Sequence, residues 1–323
     1  MKSGGNLTQD RAAVIPGGSR DTVLVLAGAV ITGASSTLMH LSGTSGPTVT
    51  FFRSLYALPV LIVLAAREIR RWGRPGWREM ALGATAGVFL ALDLILWLSS
   101  IEAMGAGLAT VVQDMQILFV AGGAWLMFGS RPPRRLVLLM PVLLLGIVLI
   151  SGIVGSSARH TATVRGTSLG VASAVAYAGF LLAMGWRPER RRKHNSTFLA
   201  SVTVATGGVA LAVGVAGTGI RLEPTWPSTG WLIVLALTTQ VFGWLVIAAA
   251  MFRVSSLHAS VALLLQPVSA VFLGWAALAE RPTLLQLLGV AVVVASTTLA
   301  IESHPAPSER PESPGSAVCD PVA

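Results

Sequence analysis

Three ionisable residues, Arg53, Asp93 and Asp114, stand inside long apolar stretches of this sequence. An ionisable group in hydrocarbon costs at least about 2.5 kcal/mol on insertion scales, so each needs a hydrated or protein-facing position. A carboxylate held there can bind a cationic ligand or carry a proton. At a rise of about 1.5 Å per residue the three lie at comparable depth, and Arg53 is within reach of an ion pair with either aspartate. Whether Arg53 serves only packing or also ligand contact stays open.

Polar and aromatic residues lie one helical turn from these charges or in the middle of other apolar stretches. Residues three and four apart share a helical face, which places Gln113 near Gln116 and Trp97 beside Asp93. An indole over a cation contributes about 0.5–2 kcal/mol, although core packing is the commoner role of a buried tryptophan. The predicted binding residues are Asp93, Trp97, Gln113, Asp114, Gln116, Tyr177, Gln240, Trp244 and Gln266, and Arg53 is a structural or coupling charge.

Small and hydroxyl side chains elsewhere in the apolar stretches favour packing over chemistry. Gly170, Ser173 and Gly179 permit close backbone approach, and we interpret them as packing residues. Thr32 and Ser36 either line a cavity or form hydrogen bonds between helices, and the sequence leaves both alternatives open.

The composition favours a protein surrounded by lipid. Hydrophobic residues make up 53% of the chain and charged residues 11%, whereas soluble domains carry about a quarter charged residues. The net charge of +9 comes from arginines clustered between apolar stretches, so no nucleic-acid partner is expected. The single cysteine, Cys319, excludes an intrachain disulfide and a cysteine-based metal cluster, and no metal or other cofactor is expected.

Ten apolar segments are long enough to span a bilayer, which takes roughly 20 residues as a helix because lipid offers no partners for backbone groups. Lys and Arg collect in alternate connections, most densely within 67–78 and 187–193. Because such clusters remain in the cytoplasm, both termini are predicted to be cytoplasmic. The segments lie near residues 22–41, 47–66, 80–101, 105–128, 136–153, 167–186, 197–216, 231–252, 256–278 and 284–302.

The sequence also matches itself at an offset of 150 residues, which places Gln116 on Gln266 and Trp125 on Trp275. Each half then holds five spans, and an odd number makes the second half enter the membrane in the opposite sense. We therefore predict an all-α membrane protein of ten helices in two inverted five-helix repeats. The predicted divisions are a cytoplasmic tail at 1–21, repeats at 22–153 and 167–302, a connecting loop at 154–166 and a disordered cytoplasmic tail at 303–323.

Several short motifs stand at repeated positions in the two halves: Phe52-Arg53, the run SSIEAMGAGLAT at 99–110, Gln266-Pro267 and Ala279-Glu280-Arg281-Pro282. Together, over residues 22–302, they resemble the EamA-type branch of the drug/metabolite transporter superfamily. The chain departs from the family pattern at Ile117 and Ser130, where the first half would carry Pro and Glu, and no role is assigned to Ser130.

This resemblance implies a secondary carrier, with no enzymatic activity, that moves an amino acid, metabolite or drug-like compound. Inverted repeats support alternating access around a midplane site. We expect export across the cytoplasmic membrane with the proton as coupling ion. The expected partners are the lipid bilayer, a small-molecule substrate and protons, and a homodimer is compatible with the sequence.

Two alternatives remain at this point. A non-transporting membrane scaffold or receptor fits the same helices. A membrane enzyme acting on lipid-linked substrates fits less well, because the sequence has no HExxH, no GxSxG and no clustered His or Cys.

Overall fold

The computed structural model describes residues 19–129, 134–150, 160–186, 194–223, 225–243 and 256–301. Within these ranges the regular structure is helical throughout, and no strand occurs. Trp244 and the terminal segments 1–18 and 302–323 lie outside the described residues.

Eleven α-helices follow one another along the described chain, and two of them continue into π-helical turns at 214–218 and 236–243. The helices are α1 (Ser19–Leu41), α2 (Gly46–Trp72), α3 (Trp77–Met104), α4 (Ala106–Gln113), α5 (Gln116–Phe128), α6 (Arg134–Ile150), α7 (His160–Gly185), α8 (Asn195–Val213), α9 (Ser228–Leu235), α10 (Ser256–Leu278) and α11 (Leu284–Ile301).

The described parts of the predicted apolar segments fall on these helices, with three differences, and residues 151–153, 244–252 and 302 of those segments lie outside the described residues. The helix predicted at 105–128 is divided into α4 and α5. Helix α7 begins at His160, so the second part of the predicted loop 154–166 is helical, and α1 begins at Ser19, inside the predicted tail 1–21. Both helices extend beyond the apolar run because backbone hydrogen bonding continues through polar residues. The number of membrane crossings and their orientation stay predictions.

Proline and glycine set several helix ends. Pro47 occupies the first turn of α2, where its missing N–H leaves no bond unmade. Gly73 ends α2 and Gly105 ends α3, both with positive φ, and each N–H bonds back to a carbonyl four residues earlier. These ends allow consecutive helices to reverse direction within a few residues.

The two halves pack through contacts that come in corresponding pairs. Helix α2 packs on its repeat counterpart α8, and α6 packs on its counterpart α11. Helix α1 packs on α10, and its repeat counterpart α7 packs in the same way on α4 and α5, the counterparts of α10. Helix α3 packs on α7, and its counterpart α9 likewise packs on α1. This exchange pattern is expected of two repeats related by a pseudo-two-fold axis.

The bundle carries apolar side chains outward and several polar ones inward. Leu126, Leu138 and Leu284 are more than 70% exposed, whereas Arg53 and Asp93 are buried. Five helical stretches within the described ranges are by themselves long and apolar enough to cross a membrane. This distribution suits a protein whose outer surface faces lipid.

Close helix packing at Gly87 provides a test of this architecture. A Cβ at Gly87 would clash with the carbonyl oxygen of Val202 on α8, so we expect Gly87→Ala to destabilise the protein by about 1–3 kcal/mol. A Cβ at Gly208 meets nothing within 4 Å, and Gly208→Ala is the matched control, expected to be neutral or slightly stabilising. Apparent Tm in detergent measures both, and equal values would contradict the α3–α8 packing.

Candidate functional site

A cavity of about 110 Å³ lies between the two halves of the bundle. Eight of the ten residues singled out from the sequence lie on its wall: Arg53, Asp93, Trp97, Gln113, Asp114, Gln116, Tyr177 and Gln266. The rest of the wall consists of Thr32, Gly33, Ser35, Leu90, Leu94, Thr110 and Thr239.

Asp93 is the most deeply buried charged residue of this wall, at 1% exposure in the middle of α3. Its Oδ1 accepts a hydrogen bond of 2.6 Å from Ser173 Oγ on α7 and one of 2.8 Å from Gln113 Nε2 on α4. Gln113 Nε2 also lies 3.3 Å from Ser173 Oγ. One carboxylate therefore joins three helices from both halves.

The interpretation of Ser173 as a packing residue was wrong, because its hydroxyl donates directly to Asp93. Ser173 lies one helical turn before Tyr177, which lines the cavity, so the shared face of α7 was the available signal. The sequence alone does not show which face of α7 turns toward α3.

Arg53 meets the second half of the chain instead of either aspartate. Its Nε donates a 2.9 Å hydrogen bond to Oε1 of Gln240, and among the described residues it forms no ion pair. Arg53 remains within electrostatic range of Asp93. The ion pair that the sequence placed within reach does not form among the described residues; Arg53 Nε instead bonds to Gln240, and Asp93 Oδ1 accepts from Ser173 and Gln113.

The break between α4 and α5 turns additional polar groups toward the cavity. The N–H groups of Asp114 and Met115 bond to carbonyls three residues earlier, at 3.2 and 3.1 Å. At three residues per turn, side chains at i and i+3 eclipse, so Gln113 and Gln116 lie on one side. Asp114, between them in the sequence, also lies on the cavity wall.

Three polar groups on this wall have no partner within the described part of the chain. The Asp114 carboxylate has neither a hydrogen bond nor an ion pair there. Trp97 Nε1 and Gln116 Oε1 are buried without a hydrogen-bond partner. The two fully buried atoms, Trp97 Nε1 and Gln116 Oε1, each carry an uncompensated desolvation cost of about 1–3 kcal/mol, which a hydrogen-bonding partner can relieve.

A second carboxylate joins the halves at one end of the bundle. Glu280 accepts hydrogen bonds from the N–H groups of Ala106 at 2.5 Å and Gly107 at 3.2 Å, at the start of α4. A Cβ at Gly105 or Gly274 would collide with the Glu280 carboxylate. We call this contact the Glu280 clasp, and its negative charge at a helix N-terminus is electrostatically favourable.

Glu68 makes a comparable contact at the opposite end. Its carboxylate accepts from the N–H groups of Ser196 at 2.9 Å and Thr197 at 3.0 Å, at the start of α8. Glu280 thus caps α4 of the first half, and Glu68 caps α8 of the second half at the opposite end of the bundle.

The Ser173–Asp93 hydrogen bond gives a direct stability test. We expect Ser173→Ala to cost about 1.5–3 kcal/mol, because the carboxylate loses a donor in a buried position. Ser168→Ala on the same helix is the control, since Ser168 is exposed and bonds only to its own helix through Arg165 O. Thermal unfolding in detergent compares them, and equal losses would contradict the importance of this bond.

Comparison with known proteins agrees with the geometry. The chain is 23% identical over 282 residues to an "uncharacterized transporter" of Archaeoglobus fulgidus, a match covering 85% of this chain and 94% of the relative. A protein of known crystal structure superposes with a TM-score of 0.56 at 17% identity, covering 87% of this chain and 97% of the other, which supports the fold alone.

Residues 22–152 and 164–301 each match the EamA-like transporter family, so the match takes in both halves and most of the chain. The expectation from the sequence motifs is confirmed. Together with the apolar exterior, the two matches identify the chain as a multi-pass membrane transporter and a member of the EamA-like transporter family.

Proposed function

We propose that this protein is a secondary carrier that moves a small molecule out of the cell across the cytoplasmic membrane by alternating access. The observation that supports it most is the cavity between the repeats, whose wall holds Arg53, Asp93 and Asp114 at the junction of both halves. Buried ionisable groups of this kind mark substrate or ion pathways in membrane proteins. The predicted binding residues are proposed to contact the substrate.

The proton is the proposed coupling ion. Asp93 and Asp114 are carboxylates on the cavity wall, and either can take up a proton when the cavity opens to one side and release it to the other. Asp93 already has two hydrogen-bond donors, whereas Asp114 has no partner within the described residues. The two carboxylates are therefore suited to different roles.

The Glu280 clasp is the proposed closure at the outer end of the carrier. With both termini in the cytoplasm, the junction of α3 with α4 and the end of α10 lie on the external side. Separating α4 from α10 there breaks two hydrogen bonds to a carboxylate. The repeat counterpart of Glu280 is Ser130, which lies outside the described residues and has no carboxylate. Opening the cavity to the outside and opening it to the cytoplasm therefore require different interactions to be broken.

Flux measurements test the proposed carrier. Proteoliposomes would be supplied with labelled amino acids and organic cations, with and without a pH gradient. We expect Asp93→Asn and Asp114→Asn each to lower gradient-driven flux at least tenfold, because a carboxamide can neither carry the charge nor exchange the proton. Glu102→Gln, an exposed acidic residue at the end of α3, is the control and should retain full flux.

Unchanged flux in both aspartate variants would contradict the proposal that the substrate passes through this cavity. Absence of flux for every compound in the wild type would favour the non-transporting scaffold instead.

The clasp is tested by distance measurement. Spin labels at Glu102→Cys and Arg281→Cys, both exposed, would report the separation of the halves at the outer end in a Cys319→Ser background. Glu280→Gln should increase the long-distance population about tenfold, which corresponds to a loss of about 1.4 kcal/mol. Glu68→Gln removes a carboxylate of the same kind at the opposite end and should leave this distance unchanged. A long-distance population that rises equally in both variants, or in neither, would contradict the clasp.

A further inference from the structure

The charges on the cavity wall do not balance. Among the described residues, the wall holds one cation, Arg53, and two carboxylates, Asp93 and Asp114. Arg53 lies within electrostatic range of Asp93, which is further held by two hydrogen bonds, so these two residues compensate each other. Asp114 has no ion pair or hydrogen bond among the described residues. The complement of this wall is therefore a single positive charge.

Two buried polar atoms without partners among the described residues indicate which hydrogen-bonding groups a ligand should carry. Trp97 is 6% exposed, and within the described part of the chain its Nε1–H has no acceptor and Gln116 Oε1 has no donor. Both residues share the cavity wall with Asp114. An ammonium group carries several N–H donors and can serve Asp114 and Gln116 together. A hydrogen-bond acceptor on the same ligand would satisfy Trp97.

The size of the cavity suits a small ligand. At about 110 Å³, on a measure where one water needs about 10–15 Å³, the cavity has room for several water molecules or for a small organic compound. The aromatic side chains of Trp97 and Tyr177 on the wall suit a cationic group by cation–π attraction.

We infer that the substrate is a small monovalent amine cation that carries a neutral hydrogen-bond acceptor, such as an amino alcohol or an amino amide. This inference rests on the proposed carrier function and specifies its substrate class. A zwitterion of the same size fits less well, because its carboxylate would leave the wall with an excess negative charge. An amine without an acceptor would leave Trp97 Nε1 unsatisfied.

Matched ligand pairs separate these requirements. Glycinamide and glycine are close in size and differ in net charge, and ethanolamine and propylamine differ in the hydroxyl acceptor. Binding to the full-length protein in detergent would be measured by calorimetry at neutral pH, where the amines are already largely protonated. We expect glycinamide to bind at least tenfold more tightly than glycine, and ethanolamine several-fold more tightly than propylamine.

Two variants assign the preferences to residues. Asp114→Asn should weaken glycinamide binding at least tenfold, with Glu102→Gln unchanged as control. Trp97→Phe keeps an aromatic ring but removes the N–H donor, so it should remove the advantage of ethanolamine over propylamine even if both amines bind more weakly. Circular dichroism and apparent Tm identify any variant that fails to fold. In that case Gln116→Leu replaces it as the test, and it is expected to weaken the binding of ethanolamine and of propylamine.

Tighter binding of glycine, or no binding of any of the four compounds up to millimolar concentration, would overturn the inferred class. Neither result contradicts the proposed carrier function, which is tested by the flux of the labelled amino acids and organic cations. Glycinamide binding that depends on Asp114 but produces no counterflow in proteoliposomes would support the site and overturn the carrier instead.

Discussion

Asp93 must be satisfied within the protein, because it is 1% exposed in the middle of a 28-residue apolar helix. An unpaired carboxylate in such surroundings is costly, so the neighbouring helices have to present donors. Ser173 supplies one from α7 and Gln113 another from α4. The rotation of these helices about their axes is thereby constrained, and the same rotation brings Tyr177 and Asp114 to the cavity wall.

The two repeats share a backbone arrangement but not a chemistry. Gln116 and Gln266 are repeat counterparts and both line the cavity, whereas the counterpart of Asp93 is Gly243, in the π-helical turn after α9. In place of a second aspartate, the second half contributes Gln240, which binds Arg53. A symmetric fold can therefore hold an asymmetric site, in which one half carries the charges and the other orients them.

Much of the helical framework was predictable because the membrane imposes strong and simple requirements on the sequence. Apolar stretches of sufficient length, interrupted by Arg, Pro and Gly, gave the helix positions to within a few residues. The depth of Arg53, Asp93 and Asp114 followed from counting along each helix, and the structure indeed places all three on one cavity. Their role in substrate contact stays a prediction.

What the sequence could not provide is the rotation of each helix and the exact hydrogen-bond partners. The donor role of Ser173, the contact of Arg53 with Gln240 and the break at Asp114 all depend on how neighbouring helices face each other. Spacing within one helix defines a face but not the direction in which that face points. The Glu280 clasp likewise joins residues more than 170 positions apart, and no local pattern indicates such a contact.

The proposed transport cycle requires this cavity to open alternately to the two sides of the membrane. Thr110→Cys in a Cys319→Ser background places one thiol on the cavity wall. Its modification by a membrane-impermeant reagent would be followed separately in right-side-out and inside-out vesicles. Alternating access predicts labelling from both sides, at rates that shift in opposite directions when the pH gradient is reversed. Labelling from one side only, at a rate that no gradient changes, would contradict the account.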